Sequence, residues 1–281
     1  MQLIADSGST KTTWALIDKG SVKVRVNTAG LNPYFHSSES IEAVLTSELL
    51  PYLVPDHVRE IHFYGSGCST ENNKTMIADA LQIFFRKAVP VIYHDILGAA
   101  RALFGKDEGI AGILGTGSNS CYYDGGNCYS KVDSLGYLFG DEGAGSYLGK
   151  QLIGKYLTRQ LPDDIRASFD EKYNFTLEDI LNSLYNRPYP NRFLASFSEF
   201  LSPNQDHPFV HGLVKEAFQA FFNAQIKQYE NYKLVTVSFV GSIAYNYREI
   251  LLETAREEGI NVGTILSAPI EGLIRFHSSI I

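Results

Sequence analysis

Cysteine is scarce in this 281-residue chain: there are three, Cys68, Cys121 and Cys128. An odd number so thinly spread excludes the disulfide framework of a small secreted domain, and reduced thiols are expected. Positive charge is also short, with 24 Lys and Arg against 31 Asp and Glu, a net charge of −7 and no basic block. That removes the electrostatic footprint of a nucleic-acid partner. No apolar run approaches the roughly 20 residues that span a bilayer, and Met1 leads into a strand-like segment instead of a signal peptide. A cytoplasmic protein with no membrane partner is expected. The seven histidines show no metal-ligand spacing. Apolar residues are plentiful at 44%, with 20% charged, which excludes disorder and supplies a core for one large domain or two medium ones.

What is present is a repeated order of elements. Met1–Ala5 reads as a strand, Asp6 to Lys11 as a polar turn, Thr12–Ile17 as a second strand and Val22–Asn27 as a third. From Gly109 the pattern recurs: Ile110–Leu114, a glycine turn from Gly115 to Asn119, Ser120–Tyr123, an Asp-Gly-Gly-Asn turn and Cys128–Val132. Two related halves follow, divided as 1–109 and 110–281. Each meander precedes alternating helices and strands. Helices are expected over 40–50, 74–85, 96–104, 143–161, 177–185, 192–200, 209–229 and 243–258, and from Pro269. Strands are expected over 61–64, 89–93, 234–240 and 261–266. The class is α/β with mixed sheets, in two lobes around a cleft.

Five segments can carry chemistry. In Asp6-Ser7-Gly8-Ser9-Thr10-Lys11, glycine lets the backbone approach a phosphate, successive N–H groups form an anion nest, and Asp6 can hold Mg²⁺ through water; a plain hairpin explains the turn equally well. Gly115-Thr116-Gly117-Ser118-Asn119 repeats that chemistry at the matching place in the second half. Two such loops can grip a polyphosphate from both sides of a cleft. Gly241-Ser242, between a buried strand and a helix, suits a nucleoside or simple strand-to-helix punctuation. Asp95, between a strand and the small-residue run Gly98-Ala99-Ala100, can take a proton from an attacking hydroxyl, or cap the helix. Asp141 and Glu142, among Gly136, Gly140, Gly143 and Gly145, can bind vicinal hydroxyls, or cap the helix that follows.

Together these segments resemble the actin, sugar kinase and heat-shock chaperone superfamily, and within it the N-acetylglucosamine kinase branch, which shares its ATPase domain with BadF/BcrA-type activators. The resemblance runs from Asp6 to Gly241, and Pro269 to Leu273 also fits. It implies two actin-like (ribonuclease H-like) lobes with mixed β-sheets flanked by helices around a central cleft. By the same resemblance Gly8, Ser9, Thr10 and Lys11 form the first phosphate motif, Gly115, Thr116 and Gly117 the second, and Gly241-Ser242 the adenosine motif. Asp6 would hold Mg²⁺ and Asp95 would accept the proton of the sugar 6-hydroxyl. Asn32, Ser118, Asn119, Gly136 and Asp141 would bind the sugar. The family's Gly-Gly-Trp-Gly is replaced here by Asp133-Ser134-Leu135-Gly136.

The expected activity is ATP-dependent phosphorylation of an amino sugar, N-acetylglucosamine first, with ATP and sugar as partners and a homodimer left open. The rivals are an activator ATPase with an iron–sulfur cluster and a nucleotide sensor without turnover. Cys121 and Cys128, facing across one hairpin, lack the wide cysteine spacing of such activators and are expected to be ordinary thiols. Trp14 is expected in the core.

Overall fold

The structure, a computed structural model, describes residues 1–279. The strands are β1 (Gln2–Ser7), β2 (Lys11–Asp18), β3 (Ser21–Ala29), β4 (Glu60–Gly65), β5 (Val89–His94), β6 (Gly109–Leu114), β7 (Ser118–Tyr123), β8 (Cys128–Tyr129), β9 (Val237–Val240) and β10 (Val262–Leu266). They form two five-stranded sheets, ordered β3-β2-β1-β4-β5 and β10-β9-β6-β7-β8. Read from the meander edge, the two orders match strand for strand, so the repetition seen in the sequence is a repetition of topology. Both sheets are mixed. In the first, β1–β2 and β2–β3 are antiparallel while β1–β4 and β4–β5 are parallel. In the second, β7–β8 is antiparallel and β9–β10 parallel.

The helices are α1 (Ser38–Val44), α2 (Glu71–Phe84), α3 (Asp95–Phe104), α4 (Gly136–Phe139), α5 (Gly145–Leu157), α6 (Asp163–Lys172) and α7 (Leu177–Tyr185), followed by α8 (Pro190–Ser196), α9 (Ser198–Leu201), α10 (Pro208–Ala224), α11 (Ser242–Asn246), α12 (Arg248–Glu257) and α13 (Ile270–Ser278). The apolar period of α10 is realised in full, with Val210, Leu213, Val214, Ala217, Phe218, Phe221 and Phe222 all buried. Among the described residues no helix is long and apolar enough to cross a membrane.

Several expected elements differ in extent. The helix over 40–50 is α1 followed by a wider π turn, Leu45–Leu49. That over 192–200 breaks into α8 and α9 at Phe197, whose ring is buried against Phe169, Tyr173 and Phe193. The helix over 243–258 breaks at Tyr247, which is buried and donates its hydroxyl to the Ser198 carbonyl at 2.7 Å. In both cases tertiary anchoring of one aromatic overrides a continuous helical pattern. The strand expected over 128–132 is two residues long, and α6 was not anticipated.

By packing, the chain forms two compact units. The first comprises Met1–Ala111, Cys121–Tyr129 and the segment from Ala268 onward; the second comprises Gly112–Ser120 and Ser130–Ser267. One break at residue 109 does not describe this grouping. The C-terminal helix α13 packs on α3, β1 and β2, and Glu271 accepts from both terminal guanidinium nitrogens of Arg25 on β3. Trp14 lies in the core of the first unit beside Phe63, its indole N–H donating to Thr28 Oγ1 at 3.0 Å.

Candidate active site

In the first unit β1 and β2 stay paired as far as Ser7 with Thr12. Their buried hydroxyls are 2.8 Å apart, and Thr12 Oγ1 donates to the Ala29 carbonyl at 3.1 Å. The turn is therefore only Gly8-Ser9-Thr10, with Asp6 and Ser7 ending β1 and Lys11 opening β2. The Gly8 N–H donates to the Lys11 carbonyl at 3.0 Å, and the Gly30 N–H to that of Thr10 at 3.1 Å. Asn32 is buried beside this turn. Its Nδ2 lies 3.4 Å from both Ser9 Oγ and Ser66 Oγ, and its Oδ1 accepts the Tyr34 N–H at 3.0 Å. Ser66 and Gly67 thus join the first turn, and sequence reasoning missed them. The run Gly65-Ser66-Gly67 directly after a strand was the available signal.

Asp95 is the first residue of α3, while His94 takes the cap position with no side-chain cap bond. The capping alternative for Asp95 is therefore set aside. Its Oδ1 is buried without a hydrogen-bond partner, although His94 Nε2 stands 3.2 Å away in an unaligned ion-pair contact. The Asp95 charge is felt at Asp6: burial first, and Asp95 second, push the Asp6 carboxyl up to about 7, with Lys11 opposing. Gly98 does not provide a flat face for a ligand. A Cβ there would stand 2.9 Å from the Tyr64 side chain, so its small size serves the packing of α3 on β4. The same surroundings hold all three thiols: burial and Asp95 push Cys68 up to about 12, and Cys121 Sγ lies 2.7 Å from Cys128 Sγ, which is 3.8 Å from the Ile96 carbonyl.

In the second unit, Gly115 to Gly117 form a closed turn between β6 and β7, with the Gly115 N–H donating to the Gly117 carbonyl at 3.0 Å. The start of α5 is tied to it: the Gly145 N–H donates to Gly115 and the Ser146 N–H to Thr116, at 2.8 and 3.0 Å. Asp141 lies against this turn, buried and at φ +59°. Its Oδ1 accepts the Ser118 N–H at 3.0 Å, and the Ser146 hydroxyl reaches its Oδ2 at 3.4 Å. Desolvation raises the Asp141 carboxyl above its ordinary range, and these two donors counteract the shift. Ser146 is a third residue that sequence reasoning missed; its place in the first turn of the helix after the Asp-Glu pair was the only hint.

Asn119 is buried, its Oδ1 taking the Ser120 N–H at 2.8 Å, and Ser118 Oγ is buried without a partner. Gly136 opens α4, and its carbonyl accepts the Gly140 N–H at 2.8 Å, one residue before Asp141. Gly241 sits at φ +127°, where a Cβ would run into the Leu114 carbonyl, so the strand β9 turns directly beside the second glycine loop. Ser242 follows as the exposed first residue of α11. Gly115, Thr116, Gly117, Ser118, Asp141 and Gly241 are therefore one contiguous cluster.

Asp6 and Asp95 supply hard oxygen donors whose mutual repulsion a divalent cation would relieve. Among the described residues no group of three or more His, Cys, Asp or Glu could hold a metal alone. Phosphate oxygens and water would complete the shell, which is the usual habit of Mg²⁺.

Neither a protein-family model nor a curated protein matches the chain. Solved structures do. A candidate N-acetylglucosamine kinase from Porphyromonas gingivalis superposes with a TM-score of 0.94 at 40% identity, covering 99% of both chains. Another, from Chromobacterium violaceum, gives 0.76 at 16% identity over 98% of both. A ROK-family glucokinase from Streptomyces griseus, solved with glucose and AMPPNP, gives 0.57 at 12% identity over 99% of this chain and 98% of its own. The last two show a shared fold. At 40% identity over 99% of its length to the first, the chain belongs to the N-acetylglucosamine kinase-like family of sugar kinases.

Proposed function

We propose that this protein transfers the γ-phosphoryl group of ATP to the 6-hydroxyl of an amino sugar, N-acetylglucosamine foremost. The observation that carries the reading is the Asp95 carboxylate. It opens α3 without capping it, and its buried Oδ1, near Asp6, accepts no hydrogen bond, standing 3.2 Å from the unaligned His94 imidazole. An unpaired buried acceptor is costly unless a ligand satisfies it. A sugar hydroxyl would do so, donating its proton as the oxygen attacks phosphorus, a general-base contribution of about 10²–10⁴ in rate.

The other residues divide by chemistry. The turns Gly8 to Lys11 and Gly115 to Gly117 would bind the β- and γ-phosphates through polar groups other than the Gly8 and Gly115 N–H, which close the turns themselves, with Gly241 and Ser242 beside the nucleoside. Asn32, Ser118, Asn119, Gly136 and Asp141 would orient the sugar, Ser118 through its unpaired hydroxyl. Mg²⁺, held by Asp6 through water, would neutralise charge on the phosphates. Holding each partner in fixed geometry replaces entropy that a bimolecular reaction in water would lose.

The test is a coupled ADP-release assay over a panel of hexoses and amino sugars, with the position of the new phosphate read by ³¹P and ¹H NMR. N-acetylglucosamine is expected to give the highest kcat/KM, with phosphate on its 6-oxygen. ATP hydrolysis that no sugar accelerates would overturn the reading.

A further inference from the structure

Cys121 and Cys128 meet across the β7–β8 hairpin. Cys128 is paired with Tyr123, and Cys121, two residues earlier on β7, lies on the same face by strand alternation. The Cys121 S–H donates to Cys128 with the sulfurs 2.7 Å apart, inside van der Waals contact, and a disulfide needs about 2.05 Å. Cys121 is fully buried and Cys128 half-buried. Cys128 Sγ also lies 3.8 Å from the Ile96 carbonyl, in the turn of α3 that Asp95 opens.

We propose that Cys121 and Cys128 form a redox-modification site that closes to an intramolecular disulfide on meeting a small disulfide such as oxidised glutathione, and that closure shifts Asp95. Cys128, the accessible thiol, loses its proton and attacks one glutathione sulfur, breaking the glutathione S–S bond and releasing one glutathione thiol. Cys121 then loses its proton and attacks the Cys128 sulfur, expelling the second glutathione as a thiol. Two protein thiols give up two electrons and one glutathione disulfide accepts them. The neighbouring Cys128 sulfur first, and burial second, push the Cys121 thiol up, so it stays protonated and leaves the first attack to Cys128; its own attack depends on the closeness of the two sulfurs. Strand β8 is only two residues long, so it yields as the sulfurs close, and the contact of Cys128 with Ile96 passes the movement to α3. The bond itself is independent of the kinase reading; its effect on turnover rests on it.

The experiment equilibrates the full chain in glutathione buffers of graded ratio, blocks free thiols with iodoacetamide under denaturing conditions, and maps tryptic peptides by mass spectrometry. Lys106 and Lys131 flank both cysteines, so they share the peptide 107–131. Under oxidation that peptide should lose two hydrogens and take no label, while Cys68 is labelled, and dithiothreitol should reverse the change. Phosphorylation of N-acetylglucosamine should fall about tenfold or more in step with closure, since small misplacements of a reacting group are that costly. Cys128→Ser should keep its turnover in the same oxidising buffer. Two labels on the peptide, or a stable glutathione adduct on Cys128, would overturn the disulfide. A closed bond with undiminished turnover would overturn the coupling to Asp95. A reduced chain inactive on every sugar would count against the kinase reading alone, because the peptide map decides the bond without it.

Discussion

Asp141 and Gly117 share one small volume: a Cβ on Gly117 would stand 2.8 Å from Asp141 Oδ1, the oxygen that accepts the Ser118 amide at 3.0 Å. The glycine turn and the carboxylate proposed to bind the sugar are thus a single packed unit. Gly117→Ala is expected to push Asp141 off that amide and lower kcat/KM for the sugar by about 10- to 100-fold, or ~1.4–2.8 kcal/mol. Steady-state kinetics and the melting temperature would check it. An alanine variant with unchanged kcat/KM would show that the contact yields freely.

Asp95→Asn keeps the shape of the side chain and removes the proposed base. Asp95 Oδ1 makes no hydrogen bond and loses only an unaligned contact with His94, so the melting temperature should change little, while kcat falls by about 10²–10⁴. Calorimetry should find ATP affinity close to that of the unaltered protein. Turnover within a few-fold of normal would remove Asp95 from the chemistry.

Asp6 carries a pH signature. Its folded carboxyl sits at about 7 against about 3.9 in an unfolded chain, so the native state binds the extra proton between those values. Stability from this group is full below about 4 and is lost as pH rises through 7. Asp6→Asn should therefore stabilise the ligand-free protein at pH 8, by about 1–3 kcal/mol, while destroying turnover. Denaturant melts of both proteins at pH 5 and pH 8 would show it as a gain confined to the higher pH.

His277 gives the opposite slope. Arg101 donates to the Tyr64 hydroxyl at 2.8 Å, so the Tyr64 proton is free for His277 Nε2 at 2.9 Å, which must be unprotonated to accept it. Burial first, then His62 and Arg101, push His277 down to about 3. The unfolded chain binds the proton from about 6.5 downward, so stability is full above 6.5 and drains as pH falls toward 3. His277→Gln should flatten that loss by about 2–4 kcal/mol at pH 4 in denaturant melts. An equal slope in both proteins would assign acid lability to other groups.

Gly241→Ala tests the turn beside the second glycine loop. With φ +127° and the Leu114 carbonyl in the way, alanine should cost about 2–4 kcal/mol and weaken ATP binding. Thermal melts and nucleotide titration would measure both.

The sites differ in how far they were legible in the chain. Both glycine loops, Asp6, Asp95 and Asp141 stand out because short polar segments between apolar strands are local features, and local features survive folding. Asn32 could be aligned only loosely, since what places it is contact with Ser9 and Ser66 from separate loops. Ser146 escaped notice because an isolated serine has no pattern until a fold surrounds it, and Ser66 carried only the weak signal of its two flanking glycines. The two cysteines read as ordinary thiols, since hairpin spacing specifies neighbours on a strand but not a 2.7 Å approach of sulfurs.

Composition alone determined an acidic chain with ample core, and periodicity alone determined an α/β order repeated twice, because strand alternation and helical period are properties of nearest neighbours along the chain. Only tertiary structure decided which segments pack together. The C-terminal helix α13 joins the first unit through Arg25 and Glu271, 246 positions apart, and Tyr247 and Phe197 break helices that their own segments would have continued. The scarcity of cysteine changes meaning in the same way: three thiols exclude a disulfide framework, yet the fold brings Cys128 to the first turn of the Asp95 helix with Cys121 beside it. Burial, close approach and charge coupling depend on residues far apart in sequence, and those distances exist only once the chain has folded.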